Sequence, residues 1–201
     1  MLDSLRDDVL RWLQQAVPEK RLHHILRVEV MALELAQQHQ LPVELAQQAG
    51  LMHDLAKCFS SEKLLTVAQA ENWHLDPAEI GCPHLLHAPV SAVVARDTFG
   101  VGNEAVLNAI ANHTLGSPDM DAISCVVYLA DTLEPGRGNT PQLQHLRELS
   151  YADLSVAVYE TCVFSLKQLL DGRRLIHPRA ILTHNRFLPT RRQKLTISSV
   201  A

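Results

Sequence analysis

Apolar residues recur at steps of three and four along nearly the whole chain and almost nowhere at steps of two, a spacing that commits it to helices. Leu2, Leu5, Val9, Leu13 and Ala16 mark one face of a first helix, which Pro18 closes for want of an N–H. Pro18 suits the first turn of a second helix running to about Gln40, with Leu22, Ile25, Leu26, Leu33 and Leu35 inward. Pro42 starts a third, whose inner positions Leu45, Ala49, Met52 and Ala56 bring His53 and Asp54 near its carboxyl end. Ser60 or Ser61 caps a fourth, with Leu64, Leu65 and Val67 inside.

Pro77, Gly81 and Pro83 break 72–87 into short turns, and helix resumes at about Ala88 until Gly100 and Gly102 end it. Asn103 caps a segment ending in Asn112, His113 and Thr114. Within 119–134, Ile123, Val126, Val127, Leu129 and Ala130 describe a mostly buried helix that carries Asp131 on its last turn and stops at Pro135 and Gly136. After a turn-rich loop, 151–170 reads as a long amphipathic helix with Leu154, Val158, Cys162, Leu166 and Leu169 on one side, and a shorter helix follows Pro178. From Pro189 the chain is polar, basic and then small, the pattern of a loose tail. Aromatic residues make up only 4%, which leaves strands without their usual material. The expected fold class is all-α: one helical-bundle domain over 1–188 and a flexible tail over 189–201.

A net charge of −4 with 20% charged residues provides no basic field for nucleic acid, so any anionic ligand must be met by local groups. Cys58, Cys82, Cys125 and Cys162 stand singly, without a C-x-x-C pair, which speaks against a disulfide framework or a thiolate zinc site and for reduced thiols. The first residues lack a basic, then apolar, secretory pattern, and the apolar runs fall short of the roughly 20 residues that cross a bilayer. A soluble, cytoplasmic protein without membrane or nucleic-acid partners is expected.

Eleven histidines are the informative oddity. His53 and Asp54 stand side by side within the apolar frame of Leu51, Met52 and Leu55, where a carboxylate without a partner is costly to bury and a cation is the natural compensation. Asp131 follows the apolar 126–130 and raises the same difficulty, while His24 lies on the second helix. Two imidazoles and two carboxylates suit iron, manganese, cobalt or zinc better than magnesium, and leave positions for water and a substrate oxygen. His23, His39, His74 and His145 are read as surface or hydrogen-bonded residues.

The order of Arg21-x-x-His24, His53-Asp54 and a distant Asp131 resembles the HD superfamily of metal-dependent phosphohydrolases. It is more closely similar to the YqeK family of symmetrical diadenosine tetraphosphate hydrolases. The likeness is carried by RLHHILRV at 21–28, GLMHDLAK at 50–57, LLHAPVSA at 85–92, ANHTLGSPDM at 111–120 and YLADTLEPGR at 128–137, with IHPRAILTHN at 176–185 beyond them. Arg179-Ala180 departs from it where a hydroxyl residue is common.

The resemblance implies a helical bundle in which His24, His53, Asp54 and Asp131 hold a metal, iron first, for cleavage of a dinucleoside tetraphosphate at its centre. Asp54, His53 and Lys57 form the expected catalytic set. His87 and His113 face the phosphates as protonated donors or bind a second ion. Arg21 and Arg137 pair with phosphate oxygens or are solvated surface charges, and Lys57 does similar work or only ends its helix favourably. Thr114 offers a hydroxyl to phosphate or ribose, and Ile176, His177 and Pro178 are implied to enclose a base or ribose. Two rivals stand beside this reading: another HD enzyme, such as a nucleoside monophosphate phosphatase or a guanosine alarmone hydrolase, and a non-catalytic module stapled by its ion. A homodimer could use the first helix or the apolar side of 151–170.

Overall fold

The helices α2 (Glu19–Gln38) and α3 (Val43–Met52) approach so closely that a Cβ on Gly50 would stand 3.1 Å from the Ala32 Cβ and 3.2 Å from the Glu29 Cα. That contact sets the site, because His24 projects from α2 and His53 follows the last residue of α3. Gly50→Ala is expected to wedge the pair apart at a cost of about 1–3 kcal/mol, lowering Tm by roughly 5 °C in a chain of this size. A circular-dichroism melt checks it, and an unchanged Tm would show that the interface yields freely.

The computed structural model describes residues 2–189, and all regular structure among them is helical, as expected. α8 (Ala122–Leu133) is the central element: Asp121 caps it by accepting the Ser124 N–H, and its residues 123–130 are all buried. It packs against α2, α3, α7 (Glu104–Asn112) and α10 (Leu154–Asp171), where Ile110, Val126, Leu129, Leu133 and Val158 join Ile25, Val28 and Leu35 in one apolar core. α1 (Leu2–Ala16) adds Val9 and Leu13 to that core, and its Arg6 pairs at 2.6 Å with Glu29, a carboxylate that α2 buries.

A smaller cluster of Ala56, Leu64, Ala68, Leu86 and Val90 lies under α4 (Ser61–Ala70) and the 3₁₀ turn Pro83–Leu86, against which α5 (Pro77–Gly81) packs. α6 (His87–Phe99) leads from that turn to Gly100, whose φ of 68° ends the helix in the left-handed conformation that glycine adopts without penalty. α9 (Pro141–Ala152) precedes α10, and α11 (Pro178–Phe187) packs on it.

Three expectations need correction. The stretch read as a turn-rich loop holds α9, which Thr140 caps at the Leu143 N–H with Pro141 in the first turn. The long helix begins at Leu154 rather than 151, because the extended Asp153 both ends α9 and caps α10. The 72–87 stretch holds the short α5, set by a capping box between Asp76 and Glu79. Of the expected tail, everything after Pro189 lies outside the described residues. No described helix is long and apolar enough to cross a membrane.

Candidate metal centre

Helix ends bring the histidines together. His53 is the C-cap of α3, His113 the C-cap of α7, and His87 the first residue of α6. Each ring donates its Nδ1–H to the carbonyl three residues earlier: His53 to Gly50 at 2.7 Å, His113 to Ile110 at 2.8 Å, His87 to His84 at 2.6 Å. A carbonyl can only accept, so these bonds fix the tautomer and leave each Nε2 as a bare lone pair turned inward.

The inward atoms meet at Asp54, which is 1% exposed. Its Oδ2 lies 3.4 Å from His53 Nε2, 3.9 Å from His24 Nε2 and 2.9 Å from Arg21 Nη1. Its Oδ1 faces His87 Nε2 at 3.5 Å, His113 Nε2 at 3.6 Å and Lys57 Nζ at 3.9 Å. Asp131, on the last turn of α8, brings Oδ1 to 3.0 Å from His24 Nε2 and 3.8 Å from His53 Nε2. Two donor groups emerge, His24 with His53 and Asp131, and His53 with Asp54 and His113.

Lone pairs and carboxylate oxygens aimed at one another repel unless a cation lies between them. His24 Nε2, His53 Nε2 and Asp54 Oδ1 are buried without a hydrogen-bond partner, an arrangement that a bound cation would satisfy. An ion about 2.1 Å from each donor would set neighbouring donors about 3.0–3.4 Å apart, and the shorter observed separations match that spacing. The electrostatics agree. Burial disfavours the Asp54 carboxylate, but His53, His113 and Lys57 outweigh it and hold the acid well below the usual range. Burial also opposes charge on Asp131, and His24, His53 and Arg137 reverse it. His53 is pushed down by burial yet ends above the ordinary imidazole value because Asp54 and Asp131 attract its charged form, as they would attract a metal ion. Burial drives His87 and His113 the other way, downwards.

Cationic side chains ring this centre. Lys57 Nζ donates to His87 Nε2 at 2.9 Å, the Thr114 hydroxyl reaches the same nitrogen at 3.0 Å, and Arg137 Nη2 meets Asp131 Oδ1 at 2.6 Å. A cleft of about 460 Å³ opens over Lys20, Arg21, His24, Lys57, His84 and Arg137. A separate cavity of about 680 Å³ is lined among others by Thr114, Tyr128, Thr132, Phe164, His177 and Arg137. Arg137 borders both.

Thus His24, His53, Asp54, Asp131, His87, His113, Arg21, Lys57, Thr114 and Arg137 share one locality. Among the implied residues at the start of α11, His177 lines the large cavity, whereas Ile176 and Pro178 do not. His177 also caps α11, its Nδ1 accepting the Arg179 N–H at 3.0 Å. Sequence reasoning missed Glu134 and Arg27. Glu134 is 1% exposed and its Oε1 lies 3.0 Å from His24 Nδ1, yet beside Pro135 it reads only as a helix terminus. His84, stacked on His87 with ring centroids 4.9 Å apart, was also overlooked.

The chain belongs to the HD domain family, which matches it over residues 21–136 and so includes every one of the four expected metal ligands. Within that family it is similar to the symmetrical bis(5'-nucleosyl)-tetraphosphatase of Bacillus subtilis, at 31% identity over 90% of this chain and 96% of that protein. The protein of the same name from Halalkalibacterium halodurans is 30% identical over 91% of this chain and 97% of its own length. A crystal structure from Clostridium acetobutylicum, titled a predicted HD superfamily hydrolase involved in NAD metabolism, superposes with a TM-score of 0.86. It is 32% identical and matches 90% of this chain and 95% of that one.

Proposed function

We propose that this chain is a metal-dependent hydrolase that cleaves diadenosine tetraphosphate symmetrically into two ADP. The observation that carries the reading is the set of buried, unpartnered donors, His24 Nε2, His53 Nε2 and Asp54 Oδ1, beside a basic cleft that His24 and Arg137 line. Relatives named for this reaction that match over nearly their whole length support the substrate.

His24, His53, Asp54 and Asp131 would hold the ion, with iron the first candidate and manganese, cobalt and zinc behind it, since a mixed nitrogen and oxygen set suits all four. When bound, the ion supplies Lewis-acid charge to the phosphate oxygens and acidifies the attacking water. His87 and His113, kept neutral by burial, are assigned to a second ion beside Asp54 Oδ1 rather than to protonated phosphate donors. Arg21 and Arg137 use one edge of the guanidinium on Asp54 and Asp131 and turn the rest towards the phosphate chain. Lys57, between Asp54 and His87, would donate a proton from its Nζ to the oxygen of the departing ADP. One nucleoside enters the larger cavity near Thr114 and His177 and the other lies along the basic cleft, so the tetraphosphate passes over the donors at its midpoint.

Elemental content of the purified protein and chromatography of the products test this together. Expected are a bound transition metal, ADP as the nucleotide product, and loss of turnover on chelation that the ion restores. ATP with AMP would refute symmetric cleavage, and phosphate released from a nucleoside monophosphate with no ADP from the dinucleotide would make the protein a nucleotidase.

A further inference from the structure

Three of the four central rings are oriented by their own helix ends, and the fourth has no such means. His24 lies inside α2, on its second turn, where the backbone carbonyls are already engaged by the helix. Its Nδ1 finds a partner 110 residues away, the carboxylate of Glu134 at the C-cap of α8, at 3.0 Å. This carboxylate touches the back of the ring, remote from Nε2, and belongs to neither donor group.

Glu134 is itself held on several sides. Arg27, one turn beyond His24 on α2, donates Nε to Oε2 and Nη2 to Oε1, and the Gly136 N–H donates to Oε2 at 2.5 Å. Burial alone would favour the neutral acid, but Arg27, His24 and the Gly136 amide overcome it and keep the group ionised. Gly136 has a further part: a Cβ there would run into the Arg27 guanidinium, so any larger residue would push that side chain off Glu134. Arg147 on α9 fastens the same loop, donating to the carbonyls of Leu133 at 2.6 Å and Gly138 at 2.7 Å.

We propose that Glu134 is a positioning residue for the metal centre: it accepts the His24 Nδ1–H, fixes the ring with Nε2 towards Asp131, and is itself locked in place by Arg27 and Gly136. The assignment rests on the metal reading given above. An anionic acceptor behind a ligating imidazole raises its basicity and removes its rotational freedom, and loss of such a partner typically weakens metal binding about 10–100-fold. Glu134→Gln keeps the shape but removes the charge, and leaves Arg27 competing for the one remaining oxygen.

The test is titration of the metal-stripped full chain with Co²⁺, followed by visible absorption, with helicity checked by circular dichroism. Expected is a Co²⁺ affinity at least about tenfold lower in Glu134→Gln, with a displaced absorption band and native helicity. Gly136→Ala, which dislodges Arg27 and leaves every donor in place, is expected to weaken binding several-fold, and it decides the matter if Glu134→Gln does not fold. Wild-type affinity and an unchanged band in the folded variant would overturn the proposal alone and leave Glu134 a tie between α8 and α2. If wild-type protein takes up no Co²⁺, the metal reading falls and the positioning role with it.

Discussion

Replacing Asp54 by alanine is expected to reduce hydrolysis of diadenosine tetraphosphate by roughly a thousandfold or more, the largest effect of any single change in the chain. Its two oxygens face different halves of the centre, Oδ2 towards His24, His53 and Arg21, and Oδ1 towards His87, His113 and Lys57. Removing it therefore disorganises both donor groups and both cations. Asp54→Asn, which keeps the volume and loses the charge, should be almost as damaging. Thermal stability provides an independent check. A ligand at a hundredfold excess over its Kd stabilises the native state by about 2.7 kcal/mol, or roughly 5–10 °C for a chain of this size. Wild-type Tm should rise by that much on adding metal, and the Tm of Asp54→Asn should stay nearly level. A variant with near wild-type turnover, or an equal metal-induced rise in Tm, would remove Asp54 from the centre.

The residues most easily read from the sequence are those whose surroundings make their chemistry awkward. His53 and Asp54 lie among Leu51, Met52 and Leu55, all nearly inaccessible to solvent, and a charge in such a frame already demands a counter-ion. The helical class was equally plain, because a three-and-four spacing that continues through residues 122–133 has no strand equivalent. What escaped has a physical reason in each case. α9 shows only Leu143, Leu146, Leu149 and Tyr151 on its inner side and follows a run of glycine, asparagine and proline, so its pattern is faint. Its start is marked by Thr140 and Pro141, a cap followed by a first-turn proline, which is a more reliable cue there than hydrophobicity.

Glu134 was hidden for a different reason. A carboxylate just before Pro135 at the end of a helix is a common solvated terminus, and no local pattern announces that it is buried. Its side-chain partners, His24 and Arg27, come from α2, more than a hundred residues away, so only the packing of α2 against α8 reveals them. The large cavity is similarly non-local, assembled from the ends of α7, α8, α10 and α11, and a resemblance that implied Ile176, His177 and Pro178 as one group could not say that only His177 borders it.

Arg137→Ala is expected to lower kcat/KM for diadenosine tetraphosphate by about 10²-fold, the scale of losing one preorganised donor to transition-state charge. The side chain is 39% exposed, and by exposure alone its pairing with Asp131 would add little to stability. Position makes the difference. Nε donates to the Asp131 carbonyl at 2.8 Å and Nη2 to its Oδ1 at 2.6 Å, which orients the planar group on the border between cleft and cavity. A lysine has no fork with which to hold that anchor and reach a phosphate oxygen together, so Arg137→Lys should restore only part of the loss and Tm should scarcely change in either variant. Because Arg137 belongs to neither donor group, metal uptake should persist in Arg137→Ala while turnover falls. A variant that loses metal along with activity would move Arg137 from the phosphate path to the support of Asp131, and one with unchanged kcat/KM would return it to the solvated surface.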